Sequence, residues 1–311
     1  MQYINHTEFK LKNTAVSLGK FDGLHRGHRK LFEAIQKEQK NGLTGVVFSF
    51  LLPPGTFLEN KEVNLIYTEE EKKNLLEHMG MDVLVSYPFD KASLSMEPED
   101  FVRDILIEKL DAKVIVVGSD FRFGHNRRGD VKLLEELSLK YGYQLQVFEK
   151  VTMEGDIVSS TRIRSELSKG KMELAARLLG EPYSITGEVV HGRKLGRTIG
   201  MPTINMALPK EKLLPPNGVY ASITEIDGKE YQGVTNIGVK PTVGAEEERL
   251  AETYIFDYRG DLYGRVLKVS LYAYERPEKK FASVEELKQQ MERDKEFGKG
   301  YFLEAANIEL R

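Results

Sequence analysis

Apolar positions in the first half of the chain come in short runs, separated by stretches with helical spacing. Thr14–Leu18 is an apolar-rich run that reads as a strand, and residues 27–40 follow as a helix that stops before the C-cap pair Asn41-Gly42. Residues 45–50 form a second apolar strand. Thr68-Glu69-Glu70-Glu71 is a capping box, with Leu75 and Leu76 inside the helix it opens and Gly80 just past its end. A strand at 83–87 precedes Glu97-Pro98-Glu99-Asp100, a helix start with proline and acids in its first turn. Residues 113–117 read as a fully buried parallel strand, Val131–Tyr141 as a helix and 144–150 as a last strand. This alternation predicts an open parallel sheet with helices on both faces, whose ligands sit beyond the carboxyl ends of the strands.

The pattern changes near Tyr183. Partly alternating strands follow one another, broken by turns at Asp227-Gly228 and Arg259-Gly260-Asp261. One clear helix comes late, opened by the capping box Ser283-Val284-Glu285-Glu286 and carrying Leu287 and Met291 at helical spacing. An antiparallel barrel closed by a C-terminal helix fits that order. The boundary is expected between Gly180 and Gly187, near Pro182, giving domains at 1–182 and 183–311.

Composition narrows the class. The 311 residues are 41% hydrophobic and 30% charged, as in an ordinary soluble protein. A net charge of −3 makes no electrostatic case for nucleic acid. With no cysteine there is no thiolate nucleophile and no Cys-ligated metal. No apolar run approaches membrane-spanning length, and the polar start lacks a signal core, so a cytoplasmic location is expected.

Three segments of the first half carry candidate chemistry. Residues 19–28 read Gly-Lys-Phe-Asp-Gly-Leu-His-Arg-Gly-His, between a strand and a helix, the arrangement that binds phosphate on backbone N–H groups. His25 and His28 lie three apart, able to face one anion, and Gly23 and Gly27 allow close backbone approach. Gly118-Ser119-Asp120-Phe121-Arg122-Phe123-Gly124 follows the strand at 113–117, with two rings for stacking. Ser159, Ser160, Thr161, Arg162 and Arg164 open a short helix; one hydroxyl suits an N-cap, while the set suits the β- and γ-phosphates of ATP. In the second half, Gly192, Gly196 and Gly200 suit a backbone wrapped around phosphates. Thr203 and Asn205 alternate with apolar neighbours, so a hydroxyl and an amide oxygen point together and can hold Mg²⁺ beside ATP.

These segments carry a family resemblance. The run G-x-F-D-G-x-H-x-G-H, from Gly19 through Phe21 and Asp22 to His28, contains the HxGH spacing of nucleotidyltransferases and resembles prokaryotic FAD synthetases, as do the Asp120 segment and the S-S-T-x-I-R run. Gly200-Met201-Pro202-Thr203-Ile204-Asn205 resembles the G-x-P-T-A-N run of riboflavin kinases, with Ile204 in place of alanine on the opposite face of the strand. The segments at 217–221 and 233–242, the latter with Asn236, and at 251–258 extend the likeness. The resemblance implies a bifunctional riboflavin kinase/FAD synthetase. Asp120 would then sit near the ribose or a metal-bound phosphate, Glu252 would be the kinase's base with Asp257 ranked below it, and Asn236 would lie by nucleotide and flavin. Arg276 would border the flavin or pack. FMN and FAD would be products rather than bound cofactors, with riboflavin, FMN and ATP as small-molecule partners. One departure stands out: family members carry an acid–Pro–His–Pro run where this chain reads Phe50-Leu51-Leu52-Pro53-Pro54-Gly55. Two rival classes, another nucleotidyltransferase with an idle barrel and a flavin sensor acting on RNA, are disfavoured by the Thr203/Asn205/Glu252 set and by the acidic charge respectively.

Overall fold

The structure, a computed structural model, describes residues 1–51, 64–88, 93, 95–192, 196, 199–241 and 247–309, without the side chains of 240, 241, 247, 248 and 307–309. The chain divides into two compact units, Met1–Val63 with Tyr67–Ser160 and Asn64–Ile66 with Thr161–Arg311.

The first unit is built on six strands: β1 (Gln2–Ile4), β2 (Thr14–Leu18), β3 (Thr44–Leu51), β4 (Val83–Pro88), β5 (Ala112–Gly118) and β6 (Gln144–Phe148). They lie side by side in the order β1-β4-β3-β2-β5-β6, and every neighbouring pair is parallel. All five residues of β2 are buried, and the polar Thr14 among them donates from its hydroxyl to the Leu110 carbonyl at 2.7 Å. Helix α1 (Arg26–Lys40) buries one stripe, Leu31, Phe32, Ala34 and Ile35. Helix α2 (Glu69–His78) starts at the expected capping box: Thr68 and Glu71 satisfy each other's backbone N–H groups. Helix α3 (Pro98–Asp100) runs on as a wider-wound helix over Phe101–Lys109, and α4 (Val131–Tyr141) is capped by the Asp130 side chain. Phe48, Val85, Phe101 and Ile115 lie in the core. A small hairpin, β7 (Thr152–Met153) with β8 (Asp156–Ile157), precedes the second unit. The strand order reverses at β2: the chain winds outward through β3 and β4, then returns to β5 on the other side. The crevice beyond the carboxyl ends of β2 and β5 is the ligand position of such sheets.

The second unit opens with α5 (Ser160–Ser168) and α6 (Met172–Leu179), followed by β9 (Tyr183–Val190), β10 (Thr203–Ala207), β11 (Gly218–Ile226), β12 (Lys229–Pro241), β13 (Glu247–Ile255), β14 (Val266–Pro277) and α7 (Val284–Glu309). The six strands close an antiparallel barrel in the order β10-β13-β12-β11-β14-β9. Asp227 and Gly228, both at positive φ, make the tight turn between β11 and β12, as expected from their dipeptide. The interior is fully buried at Tyr220, Val269 and Leu271 and also holds a hydroxyl trio: Thr235 Oγ1 lies 2.8 Å from Ser222 Oγ and 2.9 Å from Thr253 Oγ1. Outside, α7 packs Phe302 onto Ala221 and Ala273, and Gly298 lies against Val234 and Phe256. Residues 64–66 belong to this unit. Leu65 exchanges backbone bonds with Glu211 and Leu213, at 2.6 and 2.7 Å, and the fully buried Lys212 donates from Nζ to the Ile66 carbonyl at 2.8 Å. The division falls at Ser160/Thr161, ahead of the composition change at Tyr183, because α6 packs on β14 and β9.

Candidate functional site

Two sites emerge, one in each unit. In the first, the loop leaving β2 turns back on itself through positive φ at Phe21 (48°), Gly23 (90°) and Leu24 (38°). Two of these carry side chains, so the loop is locally strained, and Phe21 and Leu24 hold it by being buried. His25 precedes α1 in extended backbone and makes no side-chain cap, and no acid lies in the first turn. The cap position itself therefore supplies no side-chain acceptor to the start of the helix. His25 and His28 stack with ring centroids 3.7 Å apart, and Phe21 meets His28 edge-on at 5.2 Å. Both Nδ1 atoms are buried without a hydrogen-bond partner. Burial pushes the His25 imidazole down to about 4, and burial with His25 alongside drives His28 well below its ordinary value. At neutral pH both rings are uncharged and each keeps one N–H to donate.

Ser160 is brought to this loop: its hydroxyl donates to the Asp22 carbonyl at 2.7 Å. That bond ties Ser160 to the histidine loop. Asp120 follows β5, at the same end of the sheet, exposed and paired with Lys150 Nζ at 2.8 Å. Phe123 is a correction. It is 5% exposed and packs on Phe101 at 5.7 Å, so it is a core residue and not a free stacking platform. Phe121 is half-buried against the same core. Arg164 donates to the Asn64 carbonyl within the second unit. The departure from the family at Pro53, Pro54 and Gly55 lies outside the described residues.

In the second unit, strand register gathers the motif. Asn205 on β10 lies opposite Glu252 on β13, and Glu252 lies opposite Asn236 on β12. Three polar side chains from three segments distant in sequence thus share one row and one face. Thr203 joins that face, opposite Tyr254, while Ile204 pairs with Thr253 on the other, as the alternation predicts. Asn205 is 6% exposed and Glu252 half-buried. Gly192 closes on Asn205: a Cβ there would collide with the Asn205 amide, so only glycine lets the loop pass so near. Gly196 accepts from the N–H groups of Ile199 and Met201, at 3.3 and 2.8 Å, and Gly200 sits at φ 78°. Arg193, Lys194, Leu195, Arg197 and Thr198 lie outside the described residues. Pro202 and Thr203 line an open cleft with Tyr258, Asp261 and Tyr263. Asp257 lies past the end of β13, exposed and at φ 54°, away from the row. Arg276 is engaged by α7: its guanidinium meets the Asp294 carboxylate in two parallel bonds, 2.8 and 2.5 Å. Asp294 and Lys150 were not singled out in the sequence, because neither partner of each pair has a local signal for the other.

Among the described residues no three His, Cys, Asp or Glu side chains form a metal cluster. The face of Thr203, Asn205, Glu252 and Asn236 offers a hydroxyl, two amides and one carboxylate, a set of oxygen donors that suits a hard cation completed by phosphate oxygens.

The comparisons agree with this division of labour. Residues 7–162 match the FAD synthetase family model and residues 179–302 the riboflavin kinase model. Proteins described as bifunctional riboflavin kinase/FMN adenylyltransferases are similar along almost the whole chain. That of Buchnera aphidicola (Schizaphis graminum) is 39% identical, covering 93% of this chain and 94% of its own. That of Escherichia coli K12 is 36% identical over 96% of each, and that of Bacillus subtilis 168 is 37% identical over 96% and 97%. A Streptococcus pneumoniae structure described as a macrolide-efflux protein superposes with a TM-score of 0.84 at 31% identity, covering 96% of this chain and 99% of its own. In the present chain, no helix among the described residues is long and apolar enough to cross a membrane. Motifs, domain order and full-length relatives together place the chain in the family of bifunctional riboflavin kinase/FMN adenylyltransferases.

Proposed function

We propose that the two activities of this enzyme run on the two sites above. The barrel makes FMN: the γ-phosphoryl group of ATP passes to the 5′-hydroxyl of riboflavin, the hydroxyl proton goes to Glu252, and ADP leaves. The N-terminal unit makes FAD: an FMN phosphate oxygen attacks the α-phosphorus of ATP, and pyrophosphate leaves. There the neutral imidazoles of His25 and His28 and the first N–H groups of α1 donate to the phosphate as its charge grows. Gly19, Phe21, Asp22, Gly23 and Gly27 shape that loop. Asp120, Ser159, Ser160, Thr161 and Arg164 attend the rest of the nucleotide, and the hydroxyls and the Arg fork suit the departing pyrophosphate.

In the barrel, Gly192, Gly196, Gly200 and Pro202 carry the backbone around the phosphates, and Asn236 faces the reacting groups. Thr203 and Asn205 would hold Mg²⁺, which when bound spreads the charge of the β- and γ-phosphates. Arg276 acts by holding α7 against β14. Riboflavin, FMN and ATP are the partners in this scheme, and consumption of ATP suits a cytoplasmic location.

The observation that carries this assignment is the register row Asn205–Glu252–Asn236. The protein incubated with riboflavin, ATP and Mg²⁺ is expected to yield FMN and then FAD on flavin chromatography, and FAD alone from FMN. Production of neither flavin would contradict the proposal.

A further inference from the structure

The acid that follows β14 has no place in the scheme above. Glu278 follows directly on β14, and its carboxylate accepts from two amides, Asn236 Nδ2 at 3.2 Å and Asn217 Nδ2 at 3.3 Å. A carboxylate has no N–H to give, so the edge of Asn236 that faces it is the NH₂ edge, and Oδ1 points away. Asn236 stands directly opposite Glu252. Two residues further along β12, on the same face, comes Gly238, and a Cβ at that position would strike the Glu278 carboxylate. Two separate features of the chain, an acid at 278 and a bare backbone at 238, therefore fix one rotamer of Asn236. An amide freed from Glu278 can turn its NH₂ toward its cross-strand neighbour, Glu252. Such a bond occupies a carboxylate oxygen that the hydroxyl proton must reach.

We propose that Glu278 is a positioning residue for the kinase reaction: it holds the Asn236 amide so that Oδ1, and not NH₂, faces the Glu252–Asn205 row. The inference rests on the assignment of that row as the kinase site. Glu278 acts only through Asn236 and touches neither riboflavin nor ATP.

The test is steady-state turnover of the full-length protein with riboflavin and, separately, with FMN. Glu278→Ala is expected to lower kcat for riboflavin phosphorylation about tenfold with KM for riboflavin unchanged, the cost of a misdirected group beside the reacting atoms. Glu278→Gln keeps an acceptor oxygen and should recover most of the rate. Gly238→Ala, with Glu278 intact, should reproduce the loss, and the double variant should be no slower than the slower single one, because both act on one rotamer. FAD formation from FMN should hold in every variant. Wild-type kcat in Glu278→Ala beside a collapsed Glu252→Gln would overturn the inference and leave the site standing. Wild-type kcat in both would overturn the site itself. A raised KM at unchanged kcat would make Glu278 a binding contact, and loss in Gly238→Ala alone would reduce the effect to backbone strain; either result overturns the proposal.

Discussion

His25 and His28 are uncharged at neutral pH, and that follows from where they sit. A stacked pair 3.7 Å apart with shielded Nδ1 atoms cannot hold two protons cheaply. The His25 value of about 4 lies below the ordinary 6.5, so the unfolded chain binds more protons between those limits. Stability contributed by the pair is present above about pH 6.5 and is lost as pH falls toward 4. In the substrate-free protein the His25 ring resonances should titrate near 4 by NMR, and ATP should raise that midpoint by bringing an anion alongside. A free-protein midpoint near 6.5 would contradict the burial argument. His28→Ala should cut FAD formation by about 10² to 10³, the loss typical of one electrostatic donor, with FMN formation intact. The residue types and their spacing were legible here because loop and helix are contiguous. Their mutual stacking was not, since it depends on the positive φ angles of Phe21 and Leu24, and single residues give no signal for those.

Between elements, the seam of β14 and α7 holds charge in a buried setting. Arg276 and Gln290 both bond Asp294, which is 4% exposed. Glu275, next to Arg276, is half-buried, with Oε2 shielded and unpartnered. Burial, with Asp294 nearby, pushes its carboxyl up from 4.5 to about 7 against the pull of Arg276. The sign is opposite to that of the histidines. The folded state binds the extra proton, so stability falls as pH rises from about 4.5 through 7. Glu275→Gln should flatten that decline, read as the midpoint of denaturant unfolding between pH 5 and pH 8; an unchanged slope would remove Glu275 from it. Helices α1, α2 and α4 were readable from caps and periodicity. β1 was not, because three residues are too short to show a period. α6 does carry buried residues at helical spacing, Met172, Ala175, Leu178 and Leu179, but sits between Gly170 and Gly180, where the chain reads as a junction. The pairing of Arg276 with Asp294 joins a strand to a helix across 18 residues, and no local pattern encodes it.

At the scale of the whole molecule, the barrel unit is discontinuous in sequence. It takes in Asn64–Ile66 and the helices before Tyr183, and its buried Lys212 donates to Ile66 and lies 4.5 Å from the Tyr183 ring centroid. We propose that the independent kinase unit includes these pieces. A fragment of residues 183–311 lacks the Ile66 carbonyl, so it should be less stable than the barrel in the full chain by about 1.5–3 kcal/mol from Lys212 alone. Lys212→Met should lower the melting temperature of the full-length protein more than that of the fragment, which already lacks the Ile66 carbonyl. Equal stability of fragment and full chain would restore a simple boundary near Pro182. The two-domain plan and domain order were visible in the change of periodicity at Tyr183, but a three-residue contribution ending 117 positions before it was not.

The most direct test of the account is the Glu252→Gln variant assayed with riboflavin and with FMN. The substitution keeps the shape and one acceptor oxygen but cannot take up the hydroxyl proton. The expected result is a fall in FMN formation of about 10² or more, with FAD formation from FMN unchanged. Riboflavin phosphorylation at the wild-type rate would contradict the assignment of the Asn205–Glu252–Asn236 row as the kinase centre.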